Sequence, residues 1–499
     1  MRIKSLRLKD FRAFHKFEII DLGKHENTNI VDNKNSIDIE IKFPDSNLTV
    51  FIGENGSGKT SILDALAILL TKIFNTAPNK SSQALISKRN SKFITGLSSY
   101  ELKESDIYFE KDKNISVTKI ELLLDNNENG LFNWILKGYK DGDNFIEANE
   151  EIELEKGHNT HYSLISSIRY NLERNHNYAN LPIFCFYQTN SSIYEKDNNN
   201  KPKISLNKDF PSQFFAYRNS FSKDSYSFEE FIKWFRVNEE KENKTVKEKE
   251  NLKFKEPALE VIREVLKEVS RIFELGLDSI RVDPNDSTLI ILRKNHSKEL
   301  HLSQLSAGEQ RILFLFFDIA KRIYHANPGM FYDEYSKLEN AKEILKRAEG
   351  IVIIDEVDLH LHPKWQPLVI PALTNTFKNI HFIVTTHSPF VMTSAPPNTC
   401  IFLENIEGKI EIKNDKPHTS GTEITRNLQL MGITSFRSYE IQEKVNQLWK
   451  LIKVDNFETE EFLKLQKELS ILLPDDDRDI MLSKMELIKR KGKKENAKN

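Results

Sequence analysis

Only two cysteines, Cys185 and Cys400, occur in 499 residues. Two thiols cannot build a disulfide framework or a zinc site, so the composition predicts a reducing, cytoplasmic setting. No stretch approaches the ~18 apolar residues that a membrane helix needs; the longest runs, such as Ala65–Leu70 and Ile312–Phe317, are far shorter. The opening MRIKSLRLKDFRAF has a charge every second or third residue and no apolar core, which argues against a signal peptide. No charge sign dominates: 72 Lys+Arg meet 74 Asp+Glu, a formal net charge of −2. That excludes a generally basic nucleic-acid coat, although short basic segments such as Ser87–Lys92 remain. Sustained heptads and repeats of fixed period are also missing, so neither a long coiled coil nor a repeat array is expected. What is present is 39% apolar and 29% charged residues. That balance supplies a core and excludes a chain disordered throughout. At about 100–200 residues per domain, the length predicts roughly two to four structural units.

The hydrophobic pattern divides the chain into elements. Ile37–Phe43 alternates strictly, as a half-buried strand does. Leu48–Ile52 is a continuous apolar run of the kind covered on both faces, and Ser61–Phe74 follows it as a helix after a glycine-rich turn. Ile115–Leu124 and Phe132–Tyr139 read as antiparallel strands and Leu181–Tyr187 as a buried one; Asn190–Asn207 reads as a polar loop. Phe228–Phe235 is apolar at helical spacing. Arg236–Glu256, with 13 charged residues in 21, is expected to be a solvated helix or a mobile hairpin. Ala258–Phe273 is an amphipathic helix, and short strands follow at Ser279–Val282 and Thr288–Leu292. Ile351–Ile354 and His381–Thr385 are two more buried strands. From Gly421 to Asn499 the chain turns to mixed-charge helices with a basic end.

Four motifs carry chemistry. Gly53–Thr60 (GENGSGKT) fits G-x-x-x-x-G-K-[ST] between a buried strand and a helix. Backbone amides of Asn55, Gly56, Ser57, Gly58, Lys59, Thr60 and Ser61 are placed to surround an anion at a helix N-terminus. Lys59 can reach the β/γ-phosphates and the Thr60 hydroxyl can ligate Mg²⁺. Ile351–Glu356 is an apolar strand that delivers Asp355 and Glu356 at its carboxyl end. There Asp355 would hold Mg²⁺ and Glu356 would accept a proton from water. Leu305–Gln310 (LSAGEQ) opens a helix. Ser306 and Glu309 make an S-x-x-E capping box, which leaves Gly308 unexplained, since glycine is a poor first-turn residue unless something must come close. Val384–Pro389 places His387 after a buried strand, where it could hydrogen-bond a γ-phosphate or simply make a turn. His360 and His362 have no further cysteine or histidine nearby, and a metal site there is disfavoured. Asp475–Asp477, beside Pro474, read as a loop or helix start rather than a metal site.

In this order, the four motifs resemble the ABC-type ATPases of the SMC/RecF/OLD class. The resemblance implies an α/β fold: an ABC-ATPase head (a P-loop sheet with an antiparallel β subdomain), a helical or mixed insertion and a helical C-terminal region. It makes Gly53–Thr60 the Walker A loop, Leu305–Gln310 the signature, Asp355 and Glu356 the Walker B pair, Asp358–His362 the D-loop and His387 the switch histidine. By it, Glu356 and His387 are catalytic, Thr60 and Asp355 hold Mg²⁺, and Ser306, Gly308 and Glu309 join the loop residues in binding ATP. Arg12, in the opening strand, would also contact nucleotide. Two candidates stand for the Q-loop glutamine, Gln188 and Gln83.

Within that class, Asp355–Gln366 (DEVDLHLHPKWQ), Phe228–Asn243 and TTHSP look like the ATP-binding family of Septu-type and retron-associated antiphage systems, which work with an HNH nuclease. The absence of a Toprim-like acidic cluster after the ATPase region disfavours a nuclease on the same chain. The expected parts are an ATPase lobe over 1–130, a mixed insertion over 131–275, a second lobe over 276–420 and a partner-binding helical region over 421–499. The resemblance implies a homodimer, or a larger assembly of dimers, that sandwiches ATP, an HNH-type nuclease partner, DNA or RNA as a further partner class, and no membrane. A RecF-like repair or chromosome-associated ATPase and a transporter ATPase subunit are the alternative readings.

Overall fold

The computed structural model describes residues 1–14, 39–75, 101–107, 115–126, 130–141, 144–154, 181–189, 212–221, 228–283, 288–294, 299–327, 330–331, 341–406, 408–413, 417–433, 437–454, 456–474 and 476–496. Gln83, Ser87–Lys92 and Asn190–Asn207 lie outside them. Two compact units divide at Asn427/Leu428.

The first unit is organised by a six-stranded sheet. Its order is β14-β13-β3-β12-β11-β7, formed by β3 (Leu48–Gly53), β7 (Ile183–Tyr187), β11 (Gly350–Ile354), β12 (Ile380–Thr386), β13 (Cys400–Ile406) and β14 (Lys409–Ile412). All but β14 run parallel. Every residue of β7, β11 and β12 is buried, which explains why these strands read as unbroken apolar runs. Helix α1 (Lys59–Asn75) leaves the turn after β3.

A second, antiparallel sheet has the order β2-β1-β4-β5-β6, built from β1 (Arg2–Lys9), β2 (Ile39–Lys42), β4 (Ile115–Asn126), β5 (Gly130–Asp141) and β6 (Asn144–Leu154). His381 joins the two sheets. Its Nδ1 accepts the Ile3 N–H at 3.2 Å, so Nε2 carries the proton toward Thr49 Oγ1 at 3.3 Å. Burial pushes its pKa down to about 3, and the ring stays neutral.

The chain is not cut at 130/131 as expected. β4 and β5 pair continuously from Ile115↔Asp141 to Asn126↔Gly130, so that boundary falls at the turn of one hairpin. Leu181–Tyr187, assigned to an insertion, is a strand of the parallel sheet. Residues 131–275 are therefore no separate domain, because their strands find their hydrogen-bond partners in both sheets.

Helix α2 (Phe228–Glu248) runs through most of the charged Arg236–Glu256 stretch, and α3 (Pro257–Ile272) returns beside it. Ion pairs hold the two together: Arg263 to Glu242 at 2.8 Å and Lys241 to Glu256 at 2.8 Å. A small sheet, β8 (Leu277–Val282), β9 (Leu289–Arg293) and β10 (Glu299–His301), precedes α4 (Ala307–Ala326), whose apolar residues are almost all buried. The short helices α5 (Ala341–Arg347), α6 (Gln366–Thr376) and α7 (Pro389–Ser394) flank β11 and β12 in sequence.

Helix α8 (Ile424–Leu430) carries the chain across the boundary between the units. The second unit contains α9 (Tyr439–Lys453), α10 (Glu460–Leu472) and α11 (Arg478–Asn496). Its core includes Val445, Leu448, Ile452, Phe462, Leu469 and Ile480. Asp477 starts α11, as the sequence predicts: its Oδ1 accepts the Asp479 N–H at 3.0 Å, and both carboxylate oxygens take Arg437. Among the described residues, no helix is long and apolar enough to cross a membrane.

Candidate nucleotide site

The carboxyl ends of β3, β12, β11 and β7 lie side by side, and the predicted site residues follow from them. After β3 the loop Gly53–Gly58 turns into α1. Gly58 sits at φ +88°, and a Cβ there would come within 2.3 Å of Ile410 Cδ1 and 3.0 Å of the Phe14 ring, so only glycine fits. Asn405 steadies the loop by donating to the Gly56 carbonyl at 3.0 Å. Asn55, Gly56 and Thr60 are exposed, whereas Ser57 and Lys59 are buried; Ser61 is intermediate.

Lys59 folds back over this loop. Its Nζ donates to the carbonyls of Gly53 and Glu54, both at 2.8 Å. Burial lowers its pKa to about 8, opposed by the charges of Asp355, Glu356 and Glu54. Asp355 follows β11. Thr385 donates to it at 2.7 Å and Thr189 at 3.4 Å. Burial raises its pKa, helped by the charge of Asp64 and opposed by those threonine bonds and by Lys59. The Glu356 N–H donates to the same Thr385 hydroxyl at 2.8 Å, so one side chain fixes both acidic residues. Glu356 has a left-handed backbone, φ +49°.

At the end of β12, Thr386 donates to Asp358 at 2.5 Å, and beyond it Ser388 caps α7 while donating to Gln366 at 2.6 Å. His387 between them has its pKa lowered by burial and then by Lys59; the charges of Glu356, Asp358 and Asp355 oppose this. Lys59, Asp355, Glu356 and His387 thus share one electrostatic neighbourhood.

Ser306, Gly308 and Glu309 have other neighbours. Ser306 caps α4 with the predicted capping box: it accepts the Glu309 N–H at 3.3 Å, and its own N–H and hydroxyl donate to Glu309 Oε2 at 2.9 and 2.8 Å. Glu309 is buried, with Arg293 on its other oxygen at 2.6 Å. Ser306 remains exposed. A Cβ on Gly308 would lie 2.8 Å from the His360 carbonyl and 3.3 Å from the Trp365 ring. The glycine is therefore required by packing against the segment after Glu356, a close approach that the motif alone did not reveal. Gly308→Ala should cost about 1–3 kcal/mol by overpacking, read as a lowered thermal midpoint; an unchanged midpoint would show that the segment yields freely.

One carboxylate was missed in the sequence. Asp64, in the apolar run of α1, is buried and pairs with Arg12 at 2.5 Å; Arg12 also reaches Asp106 at 2.9 Å. The guanidinium expected to meet nucleotide is thus satisfied inside the chain. A carboxylate one turn after Thr60 in an apolar helix was the available signal. Gln188 follows β7, whose Tyr187 is in register with Ile354, so it stands beside Asp355. His360 contributes its backbone carbonyl at φ +63°, and His362 Nδ1 accepts the Lys364 N–H at 3.2 Å.

The family described as "AAA domain, putative AbiEii toxin, Type IV TA system" matches residues 48–393. The "Retron Vc95 probable ATPase" of Vibrio cholerae serotype O1 biovar El Tor is 24% identical over 464 residues, covering 86% of this chain and 83% of that protein. "Septu protein PtuA" of Bacillus thuringiensis is 23% identical over 416 residues, 82% of this chain and 85% of that protein. Among solved structures, the SMC head domain from Thermotoga maritima is similar at a TM-score of 0.38 and 16% identity, covering 83% of this chain and 98% of that one.

Proposed function

We propose, on the premise that the chain belongs to the AAA-domain family described as putative AbiEii toxin of a type IV TA system, that it is an Mg²⁺-dependent ATPase that controls a partner nuclease in antiphage defence. The convergence of Lys59, Asp355, Glu356 and His387 at the ends of adjacent parallel strands carries the reading. Relatives named as a retron ATPase and a Septu protein supply the defence context.

The substrate is ATP. Its phosphates replace the Gly53 and Glu54 carbonyls as acceptors for Lys59 and take the amides of Asn55–Ser61. The oxygen donors of Thr60 and Asp355 suit Mg²⁺, and a dication would offset the charge of a carboxylate buried beside Asp64. When bound, the cation supplies charge neutralisation at the γ-phosphoryl group. Glu356 takes the proton from attacking water, His387 hydrogen-bonds the γ-phosphate, and Gln188, beside Asp355, is the Q-loop residue.

Ser306 makes its side-chain hydrogen bonds with Glu309 rather than with Lys59, and the chain carries each motif once. A second copy therefore brings Ser306, and the amides of Gly308 and Glu309, to the nucleotide of the first. Binding closes this dimer and hydrolysis releases it; the nuclease reads the difference. The purified chain should release phosphate from ATP, and chelation with EDTA should lower the rate at least 100-fold. No turnover with Mg²⁺, with or without the nuclease encoded alongside, would refute the reading.

A further inference from the structure

The apolar surface of this protein is unevenly distributed. Among the described residues, ten of the fourteen large apolar side chains left exposed fall between Leu428 and Asn499, in the second unit. Scattered exposed apolar residues are ordinary; a run of them on one helix face is not. Four belong to α11: Met481 is 48% exposed, Leu482 42%, Met485 64% and Ile488 73%.

At 100° per residue, Met481, Met485 and Ile488 fall within about 60° of each other, one continuous stripe. Ile480, Ser483 and Leu487, on the opposite side of the helix, are the ones buried. So α11 carries two apolar faces, and its own unit uses one.

The charges around the stripe are ordered. Exposed Lys484 and Lys489 lie about 40° beyond its two edges. The carboxylates of Asp479 and Glu486 lie on the far side, where they meet Arg437 and Arg490. An apolar strip with a basic rim on both sides fits an amphipathic helix with acidic flanks. A second copy of the same face fits poorly, because a two-fold contact sets these lysines against each other. Two methionines make the stripe adaptable, as docking surfaces often are.

We infer that the Met481–Met485–Ile488 face of α11 is the docking surface for an acidic amphipathic helix of the partner protein. This rests on the reading above that a partner exists, and goes beyond it by naming the surface and its chemistry.

The test uses the full chain and, as probe, the protein encoded by the adjacent reading frame, with affinity measured across a salt series. Met485→Asp should weaken binding at least 30-fold, and Lys484→Glu with Lys489→Glu at least 10-fold with a flatter salt dependence. Met485→Leu should bind as wild type. All of these positions are exposed, so ATP turnover and the thermal midpoint should not move. Binding by wild type that Met485→Asp leaves intact overturns the surface but not the partner reading. A wild-type chain that fails to bind the neighbour overturns both. Self-association of the chain, or flotation with phosphatidylserine vesicles, that Met485→Asp abolishes would overturn the acidic helix as occupant.

Discussion

Lys59→Ala should weaken nucleotide binding at least ~30-fold while leaving the fold intact. The physical case begins with the present state of the side chain. Its ammonium group is buried, held by two loop carbonyls at 2.8 Å and the Ser57 hydroxyl at 3.4 Å, and depressed to a pKa of about 8 by the loss of water. A cation held this way meets polyphosphate with little hydration left to shed, and the loop is already shaped around it. Removing one partner of such a contact typically costs about 2–5 kcal/mol, or roughly 30- to 3,000-fold in affinity. The unliganded protein gains relief from a buried charge but leaves Asp355 without the cation whose charge favours its ionised form. The two effects oppose, so the melting midpoint without nucleotide should change little. Calorimetric titration with ATP and Mg²⁺ measures the first effect and thermal unfolding the second. An affinity within threefold of wild type would remove Lys59 from the site.

Glu356→Gln separates binding from chemistry. The substitution keeps size and shape, and the backbone N–H that donates to Thr385 at 2.8 Å is untouched. Asp355 therefore stays in place, since the same hydroxyl bonds it at 2.7 Å. What disappears is the carboxylate proposed to accept a proton, a contribution of about 10²- to 10⁴-fold in rate. Glu356 also holds a left-handed backbone at φ +49°. A residue other than glycine stays in that conformation only when its surroundings impose it, a feature concentrated at functional sites. Phosphate release should fall at least 100-fold while ATP affinity stays near wild type. Under ATP and Mg²⁺ the variant should run at twice the monomer mass in light scattering. Hydrolysis at the unaltered rate would assign the proton acceptor elsewhere. Turnover loss without a dimer would instead count against the shared site, leaving the base in place.

Much of the site was legible because it is local. A strand, a glycine turn and a lysine at fixed spacing specify an anion-binding loop whatever the rest of the chain does. The capping box of Ser306 and Glu309 is equally local, and the structure forms it with the predicted bonds. Asp477 as a helix start belongs with these. The charged stretch after Phe235 was legible only as far as its solvation. That it becomes a helix rather than a mobile hairpin depends on Arg263 of the following helix and Glu256 at its N-cap.

The rest was decided by pairings that no local pattern encodes. Thr385 is an unremarked strand residue until β12 comes beside β11 in register, where its hydroxyl joins Asp355 to the Glu356 amide. Gly308 has no packing reason in the sequence until the His360 carbonyl is found in the space its Cβ would take. Arg12 has no evident partner in the sequence until Asp64 and Asp106 close around it. The division at 130/131 looked natural until β4 and β5 paired across it. By itself the sequence determined the absence of a disulfide framework, the buried strands, the glycine loop between strand and helix and the acidic pair, because composition, period and turn chemistry are properties of neighbouring residues. Only the tertiary structure decided which carboxylate, hydroxyl and glycine work together, because those contacts join residues far apart in the chain and depend on strand order and register.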